Sequence, residues 1–249
     1  MRSSFSPCRS LMVAVGLIVL IPDGPSNAQT APTAAAALTD CAQTTDRAKA
    51  LAACSAIIKE KGSDNAALLA AYRGRAAAAI ATKKAPEALA DLSRALVLDP
   101  KNVDLWVARG DVRASLGQRI RAAADYSVAL KYDPKKVAAL TGRAEQYRSL
   151  GALQKAVSDH TEALQLDPKS AVALAGRAYA QQRLGKDKEA IADADEALKL
   201  DGKSALAYLA RGLAIGKTDK VKAATDLKKA LELDPASPIA KSALQKLGG

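Results

Sequence analysis

The chain of 249 residues is short of the side chains that catalysis and metal binding usually need: one histidine, three cysteines, two methionines and one tryptophan. His160 stands alone, and the cysteines (Cys8, Cys41 and Cys54) form no Cys-x-x-Cys spacing. No glycine-rich phosphate loop or nucleophile elbow occurs either. No enzymatic activity is expected, and no cofactor is implied. Aromatic residues make up 3% of the chain, and its one phenylalanine is Phe5. That scarcity excludes a thick aromatic core and favours helices packed closely through alanine. The basic residues have no aromatic residues interleaved among them, so nucleic acid is not an expected partner. Long apolar runs are missing too. The stretch 11–21 is eleven residues long, too few to span a bilayer, so no stable membrane span is expected.

What the chain does have is a period. Asp99-Pro100-Lys101 returns as Asp133-Pro134-Lys135 and as Asp167-Pro168-Lys169, 34 residues apart each time. Asp201-Gly202-Lys203 keeps the spacing, and Asp234-Pro235 follows after 33. A fixed period of this length marks a stack of identical supersecondary units. The units are 69–102, 103–136, 137–170, 171–204 and 205–237. Small residues hold the eighth position (Ala76, Gly110, Ala144, Ala178, Gly212), and alanine holds the twentieth and the twenty-seventh. Bulky residues hold the fourth: Tyr72, Trp106, Leu140, Leu174 and Tyr208. Apolar residues are spaced by three and four, so both halves of a unit are predicted helical. Breaks at Lys83-Lys84, Gly117, Gly151 and Gly185 divide the units into hairpins. Asn102, Ser170, Ser204 and Ser237 are placed to cap the first helices, whereas Lys136 predicts a weaker cap. Pro86 and Pro238 sit at natural first-turn positions.

This pattern resembles the tetratricopeptide repeat family at its bulky, Gly/Ala, Ala, Ala and Pro positions. The resemblance covers five copies and implies an all-α fold, an α-solenoid of tandem helix-turn-helix repeats wound as a right-handed superhelix. It also implies that ligands lie along a concave face made by the first helices, at positions two, five, nine, twelve and thirteen. Those positions include Arg73, Asp104, Asp111, Glu145, Arg148, Tyr179, Gln182, Arg183 and Lys217. Binding is expected to centre on the second to fourth repeats, where Asp111, Glu145, Arg148, Tyr179 and Arg183 should project together. Family members that hold acidic chaperone peptides use asparagines and lysines in this groove. Here the sixth position is small throughout (Gly74, Ala108, Gly142, Gly176, Ala210) and the asparagines are missing, so that activity is not carried over.

The ends differ from the repeats, as a solenoid requires. Arg2 and Arg9, the apolar stretch 11–21 and Ser26-Asn27-Ala28 together predict a secretory signal peptide over 1–28. Cleavage after Ala28 would leave a low-complexity, disordered leader over 29–37 and direct the chain to the periplasm or beyond. Residues 38–68 read as a degenerate N-terminal repeat: the position 34 before Ala88 is Cys54, and the one before Ala95 is Lys61. A C-terminal capping helix is predicted over 238–249, with Ile239, Ala243, Leu244 and Leu247 on one side. Export would leave Cys41 and Cys54, an even pair that points to a disulfide; a redox or metal role is the alternative.

Two further patterns bear on structure and partners. Arginine holds the seventh position of every unit (Arg75, Arg109, Arg143, Arg177, Arg211), and aspartate recurs in every second helix (Asp91, Asp125, Asp159, Asp193, Asp226). Five of each permit five pairs within the repeats, whereas pairing each Asp with the following repeat's Arg would strand Arg75 and Asp226. A row of arginines for an acidic peptide is the functional alternative. The chain's charge is +11, or +10 without Arg2, Arg9 and Asp23. That balance suits plain solubility or an anionic partner. The leading expectation is a scaffold for a protein or peptide partner in the cell envelope. The alternative is an accessory module of envelope polysaccharide or peptidoglycan machinery, binding glycan or anionic polymer.

Overall fold

The computed structural model describes residues 39–41, 46–60 and 63–248. The expected signal peptide, the leader 29–37 and Cys8 lie outside the described residues. Among the described residues there is no strand. Residues 39–41 form a helical turn, and twelve longer helices follow. These are α1 (Arg47–Lys59), α2 (Asn65–Ala81) and α3 (Ala85–Leu98), then α4 (Val103–Ser115), α5 (Arg119–Tyr132) and α6 (Val137–Ser149). The second half comprises α7 (Leu153–Leu166), α8 (Ala171–Arg183), α9 (Asp187–Leu200), α10 (Ala205–Ile215), α11 (Lys220–Leu233) and α12 (Pro238–Gly248). Successive helices pack as hairpins. In addition α4 packs on α6, α6 on α8 and α8 on α10, which puts the first helices along the inner face of an α-solenoid.

The local chemistry of the turns sets this layout. Asn102, Ser170, Ser204 and Ser237 accept from the backbone N–H three residues on, while Lys136 makes no side-chain cap. In the Asp-Pro-Lys turns, the carboxylates of Asp133, Asp167 and Asp201 accept from the N–H two residues on, which explains why Asp recurs there. Inside four repeats the chain reverses through a left-handed residue: Lys83 (φ 58°), Gly117 (71°), Gly151 (77°) and Gly185 (78°). The fifth repeat, one residue short, has lost this turn. There α10 stops at Ile215, and Asp219 caps α11 through the Lys222 N–H.

The N-terminal register differs from the expectation. First helices of later repeats begin at the position equivalent to 69, but α2 begins at Asn65, one turn earlier. The correct step back from α3 to α1 is therefore 38 residues. Ala50 and Ile57, both buried, occupy the places of Ala88 and Ala95, while Cys54 matches Leu92 rather than Ala88. Cys54 and Cys41 are bonded, with sulfurs 2.15 Å apart, and they are buried against α2 with Ala71. At the other end α12 lays Ala240, Ala243, Leu244 and Leu247 on Leu227 and Ala230.

The interior is built on absent side-chain volume. Alanines of the twentieth and twenty-seventh positions are almost fully buried in all five repeats. The sixth position follows what the preceding unit presents to it. A Cβ at Gly142 would lie 2.6 Å from the Tyr126 ring, one at Gly176 would lie 2.3 Å from His160 Nε2, and one at Gly74 would lie 2.8 Å from the Cys41 carbonyl oxygen. Where the neighbour is Leu92 or Ala194, alanine is accommodated at Ala108 and Ala210. Tyr126 is wedged on both sides, because a Cβ at Gly110 would also meet its ring, at 2.7 Å.

A sign reversal follows from this coupling. With Tyr126 present, Gly142→Ala should destabilise by about 1–3 kcal/mol through overpacking. In a Tyr126→Leu background the same change should stabilise by up to about 1 kcal/mol, since alanine is the better helix former. Denaturant unfolding of the four proteins measures both; an effect of one sign in both backgrounds would contradict the steric account.

Candidate partner-binding groove

The framework of the groove is a polar ladder between paired helices. Each seventh-position arginine meets the aspartate of its own repeat with two parallel hydrogen bonds. Arg75 donates to Asp91 at 2.7 and 2.7 Å, Arg109 to Asp125 at 3.0 and 2.8 Å, and Arg143 to Asp159 at 2.7 and 2.8 Å. Arg177–Asp193 and Arg211–Asp226 repeat the 2.7 and 2.8 Å geometry. The remaining guanidinium nitrogen reaches the second helix of the preceding unit. Nη1 of Arg75, Arg109, Arg143 and Arg177 donates to Ser55, Ser93, Ser127 and Thr161 at 3.5, 3.4, 3.2 and 3.3 Å, and Arg211 Nη1 to Asp195 at 2.6 Å. Fourth-position aromatics cover three of these arginines, Trp106 most closely, with the Arg109 guanidinium 4.5 Å from its ring centre.

With those arginines occupied, the recesses that remain open lie on the inner face. Two recesses lie side by side on α2 and α4. One, of about 430 Å³, is lined by Ala70, Arg73, Ala77, Ile80, Asp104 and Ala108. The other, of about 550 Å³, is lined by Ile80, Lys83, Ala108, Asp111, Val112 and Leu116. Sharing Ile80 and Ala108, they make one apolar trough with charges of both signs on its rim. Asp111 accepts from the Tyr126 hydroxyl at 2.6 Å. Desolvation by the apolar walls raises its carboxyl above the ordinary range, against the opposing effect of that bond. Burial and the facing Asp111 push the Tyr126 phenol well above its usual value. Asp104 accepts from Lys136, the last residue of its own repeat, at 2.6 Å.

The remaining expected residues are arranged differently. Glu145 and Arg148 form a bidentate pair with one another, the Arg148 guanidinium lies 5.0 Å from the Tyr179 ring centre, and the Tyr179 hydroxyl accepts from Arg183 at 3.2 Å. Tyr179 itself is 2% exposed, so it supports this cluster from beneath instead of projecting into the groove. Glu145 and Arg148 line a recess of about 340 Å³ with Leu206, Leu209 and Asp234, which brings α6 across to α10. Gln182 is half-buried, and Lys217 stands away from the trough in the last intra-repeat turn, 3.6 Å from Asp187. The apolar floor thus lies at the first two repeats, one unit nearer the N-terminus than expected. Ile80 and Ala77 hold the twelfth and ninth positions of the first unit, and their apolar character, against Asp111, Glu145 and Arg148 at those positions of the second and third units, is the signal in the sequence for this floor.

The lone histidine belongs to the packing. His160 is 2% exposed between α7 and α8, and neither ring nitrogen meets a hydrogen-bond partner among the described residues. Burial, with Arg148 and Arg177 nearby, lowers its pKa to about 4. Among the described residues no group of three or more His, Cys, Asp or Glu is placed to hold a metal ion.

The fold of this solenoid is that of the tetratricopeptide repeat proteins. It matches the crystal structure of YrrB, a TPR protein with an unusual peptide-binding site, at 20% identity and a TM-score of 0.57, over 70% of this chain and 91% of that one. It matches MamA at 20% identity and 0.58, over 67% and 92%. A tetratricopeptide repeat protein from Parabacteroides merdae matches at 21% and 0.59, over 82% and 93%. No family model and no curated protein matches the sequence.

The His160 pKa carries a sign. Because its folded value of about 4 lies below the ordinary 6.5, its contribution is intact above about pH 6.5 and is lost as pH falls from there toward 4. The loss should approach about 3 kcal/mol. His160→Leu should remove this share of the acid destabilisation; unfolding curves of parent and variant that stay parallel from pH 7 to about 4 would contradict it.

Proposed function

We propose that the chain is a non-enzymatic scaffold that holds a protein or peptide partner along the inner face of its first helices. The observation that carries this reading is the continuous apolar trough over α2 and α4, with Ile80 and Ala108 common to both halves. Its rim carries Arg73, Lys83, Asp104 and Asp111, charges of both signs, which suits a peptide with apolar anchors and mixed polar flanks better than a uniformly charged ligand. The Glu145–Arg148 pair extends the same face toward α10, where a longer partner finds polar contacts. The peptide-binding site named for YrrB, on a similar fold, supports the reading.

We further propose that the protein works outside the cytoplasm, in the periplasm or as a secreted protein. Supporting this are the basic, apolar and small-residue pattern of its first 28 residues and the bonded Cys41–Cys54 pair, since such bonds persist in oxidising compartments.

Ile80 is 45% exposed, so Ile80→Glu should fold normally. Peptides selected by display against the purified chain should bind this variant at least about tenfold more weakly. Ligands held equally well by parent and variant would place the interface elsewhere.

A further inference from the structure

The net positive charge is not spread evenly. The turns inside the five repeats, residues 81–87, 115–121, 149–155, 183–189 and 217–222, carry eleven Lys or Arg against four Asp or Glu, a net +7 of the chain's +11. The turns between units, residues 98–102, 132–136, 166–170, 200–204 and 233–237, carry five of each and sum to zero. Stacking places the first set along one edge of the solenoid and the second set along the other. All eleven bases of the first edge are exposed. Neighbouring turns there meet: Arg119, Ile120 and Arg121 share a shallow depression with Leu150 of the next repeat, and Lys217 approaches Asp187 of the previous one.

Two of these turns carry the same local pattern at the same position: Arg119-Ile120-Arg121 opens α5, and Lys220-Val221-Lys222 opens α11. Ile120 is 74% and Val221 80% exposed, and Leu116 and Leu150 add further apolar surface beside the first. Neither helix has an acidic residue in its first turn, and among the described residues none of these four bases makes a salt bridge. Cations at a helix N-terminus work against the helix dipole. At α5, whose N-cap Gln118 makes no side-chain cap, the placement therefore costs stability without an internal offset, while at α11 the Asp219 cap offsets part of it.

We propose that this edge is a docking surface for an anionic lipid bilayer. Bases drawn to anionic headgroups, with β-branched aliphatics between them entering the headgroup–acyl boundary, are the chemistry of a protein that lies on a membrane without crossing it. A soluble polyanion would use the bases and leave Ile120 and Val221 idle. Docking by this edge covers the Lys83–Leu116 end of the α2–α4 trough and leaves its other end, at Ala70, Arg73 and Asp104, open.

The test is vesicle flotation of the full protein as the cell processes it. The vesicles are phosphatidylcholine alone, or phosphatidylcholine with about 30% phosphatidylglycerol. Binding should require the anionic lipid and fall with added salt. Arg119→Gln, Arg121→Gln, Lys220→Gln and Lys222→Gln together should weaken it by about a hundredfold. Ile120→Ser with Val221→Ser should weaken it by about tenfold while leaving binding to dextran sulfate unchanged. Circular dichroism checks that the variants fold. Absence of binding to anionic vesicles, or equal binding to neutral ones, would overturn the proposal. So would full binding by the aliphatic variant, which would make the edge a site for soluble polyanions.

Discussion

A carboxylate shut away from water between two helices needs a partner of matching geometry, and five times in this chain that partner is the arginine sixteen or, in the shortened last repeat, fifteen residues before it. Asp91 and Asp125 are each 2% exposed. A planar guanidinium meets such a group through two parallel bonds, which fixes the rotation and the slide of one helix on the other. The third nitrogen then bonds the unit before. One side chain therefore sets both the hairpin within a repeat and the step between repeats. The value of such a pair lies in its register more than in net energy, because desolvation offsets much of the attraction.

Once the helices are held in that register, the small residues become obligatory and the inner face becomes available. Backbones approach closely at the buried alanines, and the sixth position must yield to whatever the preceding unit presents, hence glycine opposite Tyr126, His160 and the disulfide. The same register turns the ninth and twelfth positions inward, so that Ala77, Ile80 and Asp111 face the groove instead of a neighbouring helix. Framework positions and groove-facing positions are thereby separated within one repeat.

The repeat, its helical halves, their caps and the glycine turns are legible in the sequence because each depends on local chemistry at fixed spacing. Asp and Arg could be matched as partners by counting them. The contact of Arg109 with Ser93 or of Arg211 with Asp195 could not, since it depends on how far one unit is displaced along the next. The extra turn at the start of α2 is hidden for a similar reason: Asn65 to Leu68 continue a helical pattern without a break, so a 34-residue step falls four residues short. Tyr179 looked like a groove residue by position, but stacking under Arg148 draws it inward. The trough is scarcely legible in the sequence, because alanine and isoleucine in an alanine-rich chain carry little mark of their own.

Helix-resolved hydrogen exchange on Asp159→Ala tests most directly whether the ladder holds neighbouring units together. Removing the aspartate leaves Arg143 without its carboxylate and should cost about 3–5 kcal/mol locally. Exchange in α6 and α7 should then quicken by about two orders of magnitude or more, with a smaller effect in α5 and α8 and little beyond them. Unchanged protection in α6 and α7 would contradict the account, and so would a loss spread evenly from α2 to α12.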